Sequence, residues 1–225
     1  MVHKKKKQDS AAAFEKKRWR RILEQAEIDT IYVGEGWMRE GPACQRAREL
    51  AQAKGNRRVV AVDLREHVYP IPETLEWVTG GILEYLQGLP DECVARIVDN
   101  AAFEEIIWDF RSPNFGEDLW AEDIAFAYAL AGRTPPKGEK TPFQKRSIEY
   151  ASQLYRALVP EGRFECETIG QNLPVISMLL KDAGFEVSAE QLTRETVRRT
   201  GSHQALHELE GGSNPHLITA VKLRQ

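Results

Sequence analysis

Cysteine is scarce in this chain of 225 residues: Cys44, Cys93 and Cys166 stand far apart and no C-x-x-C pair occurs. That spacing indicates neither a disulfide framework nor a zinc ligand set, and leaves three reduced, mostly buried thiols as the expectation. His203 and His207 lie four apart without a Glu-x-x-His context, so an exposed pair is expected there and no metal. Long apolar runs are also missing. Nothing approaches the roughly 18 residues of a membrane-spanning helix. The first twenty residues are polar and basic, without the apolar centre of a signal peptide. A cytoplasmic address and no membrane contact are the expectations.

What the chain does have is an ordinary apolar content, 42%, sufficient for a real core. Its small net charge of −3 hides an asymmetry. Residues 1–21 carry nine Lys and Arg against Asp9 and Glu15, a net of +7, so residues 22–225 carry −10. A basic arm, residues 1–27, is therefore expected ahead of an acidic body, residues 28–225. Lys4–Lys7, Lys16, Lys17, Arg18, Arg20 and Arg21 can attract nucleic acid or an acidic partner, or fold back on the acidic body.

Residues 1–10 have no periodicity. From Ala11 to Ala26, Phe14, Trp19, Ile22, Leu23 and Ala26 recur near helical spacing and predict an amphipathic helix. Strands are expected at 29–33, 58–63, near 75–78, at 94–98, 163–169, 185–187 and 217–223. The last of these reads as a hairpin partner or an edge. Helices are expected at 42–54, 143–158 and 173–183, the last stopped by Gly184, and a helix or turn at 82–86. Residues 111–142 hold a helical piece at 121–130 and then Pro135, Pro136, Gly138 and Pro142. Their length suits a lid or substrate insertion. Alternating strands and helices predict an α/β fold: a Rossmann-like, doubly wound, mostly parallel seven-stranded sheet with an antiparallel last strand. Ligands bind such sheets beyond the strand C-termini, so Gly34–Gly36, Asp63 and Asp99–Asn100 are expected to converge on one crevice.

The run Thr30-Ile31-Tyr32-Val33-Gly34-Glu35-Gly36 leads a strand into a Gly-x-Gly turn, and Val59-Val60-Ala61-Val62-Asp63 ends a second strand on a carboxylate. Glycines let a backbone approach a ligand, and such a carboxylate can accept hydrogen bonds from two ribose hydroxyls. Together with Gly81-Ile82-Leu83-Glu84-Tyr85-Leu86, Arg96-Ile97-Val98-Asp99-Asn100, Leu154–Phe164 and Leu180-Lys181-Asp182-Ala183-Gly184-Phe185, these runs resemble, in order, the motifs of class I S-adenosylmethionine-dependent methyltransferases. The resemblance spans roughly residues 28–225. It implies S-adenosylmethionine as cofactor, with Gly34, Glu35 and Gly36 near its amino-acid end. Asp63 would take the ribose with Leu64 beside it, Ile82 and Leu83 would flank the adenine, and Asn100 would line the cavity near the methyl group. The implied chemistry is methyl transfer to a small molecule or an accessible macromolecular nucleophile.

Three positions depart from the family's pattern. Tyr32 stands where an acidic residue usually serves the cofactor's amino group, Met38 where a small residue is expected, and Ile82 where an Asp often meets the adenine. An alternative reading follows: a catalytically inactive, methyltransferase-like binding or scaffold protein whose basic arm engages RNA or a protein. The Asn/Asp-Pro-Pro-aromatic run of amino-group methylation is replaced by Asp99-Asn100-Ala101-Ala102-Phe103, which looks more like the small-molecule branch. Glu104 and Glu105 can supply a general base or simply favour a helix N-terminus. Trp108, Phe110, Phe115, Trp120, Phe126 and Tyr128 can wall a pocket or bury the insertion. Arg194, Arg198 and Arg199 read as a solvated helix face.

Overall fold

A computed structural model describes residues 17–34, 58–64, 75–99, 103, 142–170, 172–196, 209–212 and 214–224. The strands are β1 (Ile28–Val33), β2 (Arg58–Asp63), β3 (Leu75–Thr79), β4 (Val94–Asp99), β5 (Leu158–Ile169), β6 (Phe185–Gln191) and β7 (Pro215–Lys222). The helices are α1 (17–25), α2 (Ile82–Gln87), α3 (Pro142–Ala157) and α4 (Leu173–Asp182). They build one seven-stranded sheet in the order β3-β2-β1-β4-β5-β7-β6. β7 is antiparallel to both neighbours, and every other pairing is parallel. The topology reverses between β1 and β4, which places the ligand-binding switch point beyond Val33.

β1 and β2 are buried on both faces, which is why they read as unbroken apolar runs rather than alternating ones. On one face Ile31, Val33, Val60, Val62, Ile97, Phe164 and Cys166 form the main core. Covering it are Ile82, Leu83 and Leu86 of α2, Tyr150, Ala151 and Leu154 of α3, and Ile176, Leu179 and Leu180 of α4. These helical positions recur three and four apart, as a stripe facing a sheet requires. The opposite face carries a smaller cluster of Tyr32, Val59, Ala61 and Leu75, with Trp77 and Val98 against it.

α1 docks at the other end of that second face. Ile22 is buried against Ala95 and Val159, flanked by Trp19, Leu23 and Ala26. Burying an isoleucine contributes about 2 kcal/mol, whereas a partly exposed ion pair such as Arg18–Glu161 contributes about 0–1 kcal/mol. Apolar contact therefore holds the helix, and the ion pair orients it. The described part of the basic arm, residues 17–27, folds back on the body.

Of the two readings of the last strand, the hairpin partner holds: β7 pairs with β6 and lies between β5 and β6, and the edge strand on that side is β6, with Glu186 and Glu190 exposed. Charged side chains on such an edge oppose pairing with another chain. β5 begins five residues before the expected Arg163. Pairing steps from Val94 with Leu158 to Arg96 with Arg163, so residues 159–162 bulge out. The bulge holds Glu161 at φ 65°, and a Cβ on Gly162 would meet the Val159 carbonyl oxygen at 2.7 Å. The Pro-Glu-Gly turn is thus built into the strand. Cys93 and Cys166 are buried, as expected, while Cys44 lies outside the described residues. No described helix is long and apolar enough to cross a membrane.

Candidate functional site

The C-terminal ends of the central strands stand level. Val33 pairs with Val62 on one side and with Asp99 on the other, and Asp63 pairs with Thr79 of β3. Gly34 follows Val33 at φ 78°, a conformation that side chains with a Cβ rarely adopt. Its N–H donates to the Val62 carbonyl at 3.2 Å, which ties the turn to the end of β2.

Asp63 is 9% exposed at the end of β2. Its carbonyl oxygen accepts the Gly80 N–H at 2.7 Å, so backbone bonding fixes the strand end independently of the carboxylate. Leu64 beside it is 47% exposed. Ile82 and Leu83 open α2 at 7% and 5% exposed, within the main core.

Strand alternation separates the two acidic strand ends. Asp63 follows Val59 and Ala61 in period two, on the Tyr32 face, whereas Asp99 follows Ile97 on the face covered by α3. The Asp99 carboxylate is fully buried and accepts the Tyr150 hydroxyl at 2.8 Å and the Phe103 N–H at 3.0 Å. Burial, then the Asp99 charge and its hydrogen bond, push the Tyr150 hydroxyl well above the usual tyrosine range. The backbones of β1, β2 and β4 do converge at one sheet edge, but Asp99 turns inward and anchors the chain at Phe103. Sequence reasoning missed Tyr150. The signal available was only its place on the apolar stripe of α3.

Tyr32 packs with Val59, Ala61, Leu75, Trp77 and Val98 at 3% exposed. Deeper on that face Arg96 and Glu165 form a mostly buried ion pair, and Arg163 approaches Glu165 at 3.9 Å. Glu165 holds the Arg96 guanidinium charged against the opposing effect of burial. Glu35, Gly36, Met38, Asn100, Glu104, Glu105, the aromatic residues 108–128, the insertion to residue 141, Arg198, Arg199, His203 and His207 lie outside the described residues. Arg194 is described and exposed. Among the described residues no cluster of His, Cys, Asp or Glu could hold a metal ion.

The fold that carries this glycine turn and this strand-end carboxylate superimposes on solved structures. A 16S rRNA methyltransferase, KamB, superimposes with a TM-score of 0.51 at 12% identity, covering 92% of this chain and 93% of that one. The complex of the Haloferax volcanii Trm112 methyltransferase activator with a methyltransferase contains a chain that superimposes with a TM-score of 0.50 at 12% identity, over 94% and 89% of the two chains. The fold is that of class I S-adenosylmethionine-dependent methyltransferases. No protein-family model and no curated protein sequence matches the chain. Within the methyltransferase fold, Gly34 and Asp63 occupy the ends of the first two strands, as the sequence resemblance implied.

Proposed function

We propose that the chain is an S-adenosylmethionine-dependent methyltransferase that acts on a small molecule or an accessible macromolecular nucleophile. The observation that carries this reading is the pairing of Gly34, in its left-handed conformation, with the end of the strand that delivers Asp63. The donor set suits the cofactor. The glycine turn would let backbone approach its amino-acid end, and the Asp63 carboxylate would accept two ribose hydroxyls. When bound, the cofactor supplies an electrophilic methyl group. The protein's own work is to hold the acceptor in line with that methyl and to exclude water. Glu35, Gly36, Leu64, Ile82, Leu83 and Asn100 complete the proposed cofactor site. Residues 111–142 are the candidate for covering it. The cytoplasmic address belongs to the same reading.

One observation favours the second reading, an inactive binding or scaffold protein whose basic arm engages RNA or a protein. Tyr32 brings no carboxylate to the turn and sits among apolar side chains instead. Ile82 withholds a further polar contact. At roughly 1–1.5 kcal/mol for each missing hydrogen bond, cofactor affinity would fall by about two orders of magnitude.

Calorimetric titration with S-adenosylmethionine and S-adenosylhomocysteine separates the two. Micromolar binding that disappears in Asp63→Ala is the expected result. No heat at millimolar ligand would remove the enzyme reading.

A further inference from the structure

We propose that the surface where α1, the β5 bulge and the C-terminal end of β7 meet is a docking face for folded RNA. Three segments remote in sequence bring their cations together there. Arg18 of α1 and Arg224 beyond β7 both reach Glu161 of the bulge, at 2.8 and 3.0 Å. The Glu161 carboxyl is held below the ordinary carboxylate range, first by the Arg18 hydrogen bond and then by the nearby charges of Arg224, Arg18 and Arg21. Arg163 lays its guanidinium over the Trp19 ring, 4.4 Å from the centroid. Lys17, Arg20 and Arg21 stand exposed on the same helix.

The arm alone was expected to be basic. Arg163 and Arg224 extend its cations onto the body, where Glu161 and Glu165 offset part of their charge. Residues 22–225 carry −10 in total, so cations gathered at one face are what can draw a polyanion to this chain. An acidic protein is the poorer fit. Protein interfaces centre on apolar side chains, and Leu223 is the large apolar side chain described as exposed here. Arginines that present paired N–H donors suit phosphate oxygens.

The choice of RNA rests on the methyltransferase reading. Ile218 of β7 pairs with Cys166, which pairs with Asp99 at the cofactor edge. Lys222 is four residues further, roughly 13 Å at strand rise, and Arg224 lies beyond it. The docking face and the cofactor edge therefore sit at opposite ends of the sheet. An acceptor nucleotide must come from a chain that bends around the body. Duplex DNA, stiff over roughly 150 base pairs, resists that, whereas folded RNA offers loops and splayed bases.

The test is fluorescence anisotropy of a labelled RNA hairpin with the full chain, measured from low to moderate salt. Expected is salt-sensitive binding. Arg20→Ala/Arg21→Ala should weaken it about tenfold or more and lower the salt slope by about two, and Arg224→Ala should lower the slope by about one. Lys181→Glu, an exposed cation on α4, should change nothing, and thermal melts check that each variant folds. Equal slopes for wild type and Arg224→Ala would overturn the composite face. Binding a DNA duplex or poly-glutamate as tightly as the hairpin would overturn the choice of RNA. Calorimetry with S-adenosylhomocysteine on the same samples reads the cofactor site separately. Hairpin binding with the expected variant pattern upholds the docking face whether or not that titration gives heat.

Discussion

Replacing Tyr150 by Phe removes one hydroxyl and leaves the ring that packs edge-on against Phe103 at 5.0 Å. No cavity opens, so the cost is the hydrogen bond alone. Its acceptor is a carboxylate with no exposure that also accepts the Phe103 N–H. Hydrogen bonds to buried charged groups contribute about 1.5–3 kcal/mol. In a chain of this length each kcal/mol moves the melting temperature by roughly 2–4 °C. Tyr150→Phe should therefore melt about 4–10 °C below wild type, and urea unfolding should show a lower midpoint at unchanged slope. Asp99→Asn and the double variant complete a cycle whose coupling should exceed about 1 kcal/mol. A Tyr150→Phe loss under about 0.5 kcal/mol would refute the view that this bond anchors the end of β4.

The same bond sets an alkaline signature. Below pH 10 the Tyr150 hydroxyl is protonated in both folded and unfolded chains. Above pH 10 the unfolded tyrosine ionises, while burial and the Asp99 charge keep the native one protonated. The unfolded state then binds fewer protons, so native stability falls as pH rises from 10 toward the folded value. Tyr150→Phe should lose this part of the alkaline decline, seen as a shallower fall of urea midpoint with pH.

Other variants probe neighbouring claims. Ile22→Ala empties a buried site against Ala95 and Val159, and should cost about 2–4 kcal/mol by chemical denaturation if α1 belongs to the folded unit. For that reason a test of the arm should delete residues 1–16 and keep α1. Glu161→Gln should speed hydrogen exchange across residues 17–25. Since Arg18 lowers the Glu161 carboxyl, wild type should show the same loosening only as pH falls through and below the ordinary carboxylate range. Asp63→Asn should weaken cofactor binding sharply in a calorimetric titration while leaving the Gly80 N–H bond to the Asp63 carbonyl in place.

The sheet was legible because its strands obey local rules. Arg58–Asp63 reads as a buried parallel strand from its β-branched run alone, and its observed bounds agree. Gly34 and Gly184 mark turns by needing positive φ, and both have it, at 78° and 105°. What local rules do not contain is lateral order. The final strand, read from its own residues, suits an edge as well as an interior position, and only its pairing with both β5 and β6 decides. The long-range partners were equally hidden. Tyr150 reaches Asp99 across 51 residues, and Arg18 reaches Glu161 across 143.

The departure at Tyr32 gains a physical meaning once its surroundings are known. A carboxylate at that position would lie beside Val59, Ala61, Leu75 and Val98, where desolvation would cost several kcal/mol, offset in part by the nearby Arg96 guanidinium that Glu165 already engages and more fully by a cation from the ligand. A tyrosine there stabilises the apo protein by filling the second core cluster. The chain therefore trades charge recognition at the first strand for packing beneath it. In the proposed site, cofactor recognition would then fall on Asp63 and on the backbone of the glycine turn. Tyr32→Asp states the trade as a measurement: apo stability should fall by several kcal/mol, and added S-adenosylmethionine should recover a larger share of the melting temperature than in wild type. A ligand shift no larger than wild type's would show that position 32 faces packing alone and that the cofactor reading must stand without it.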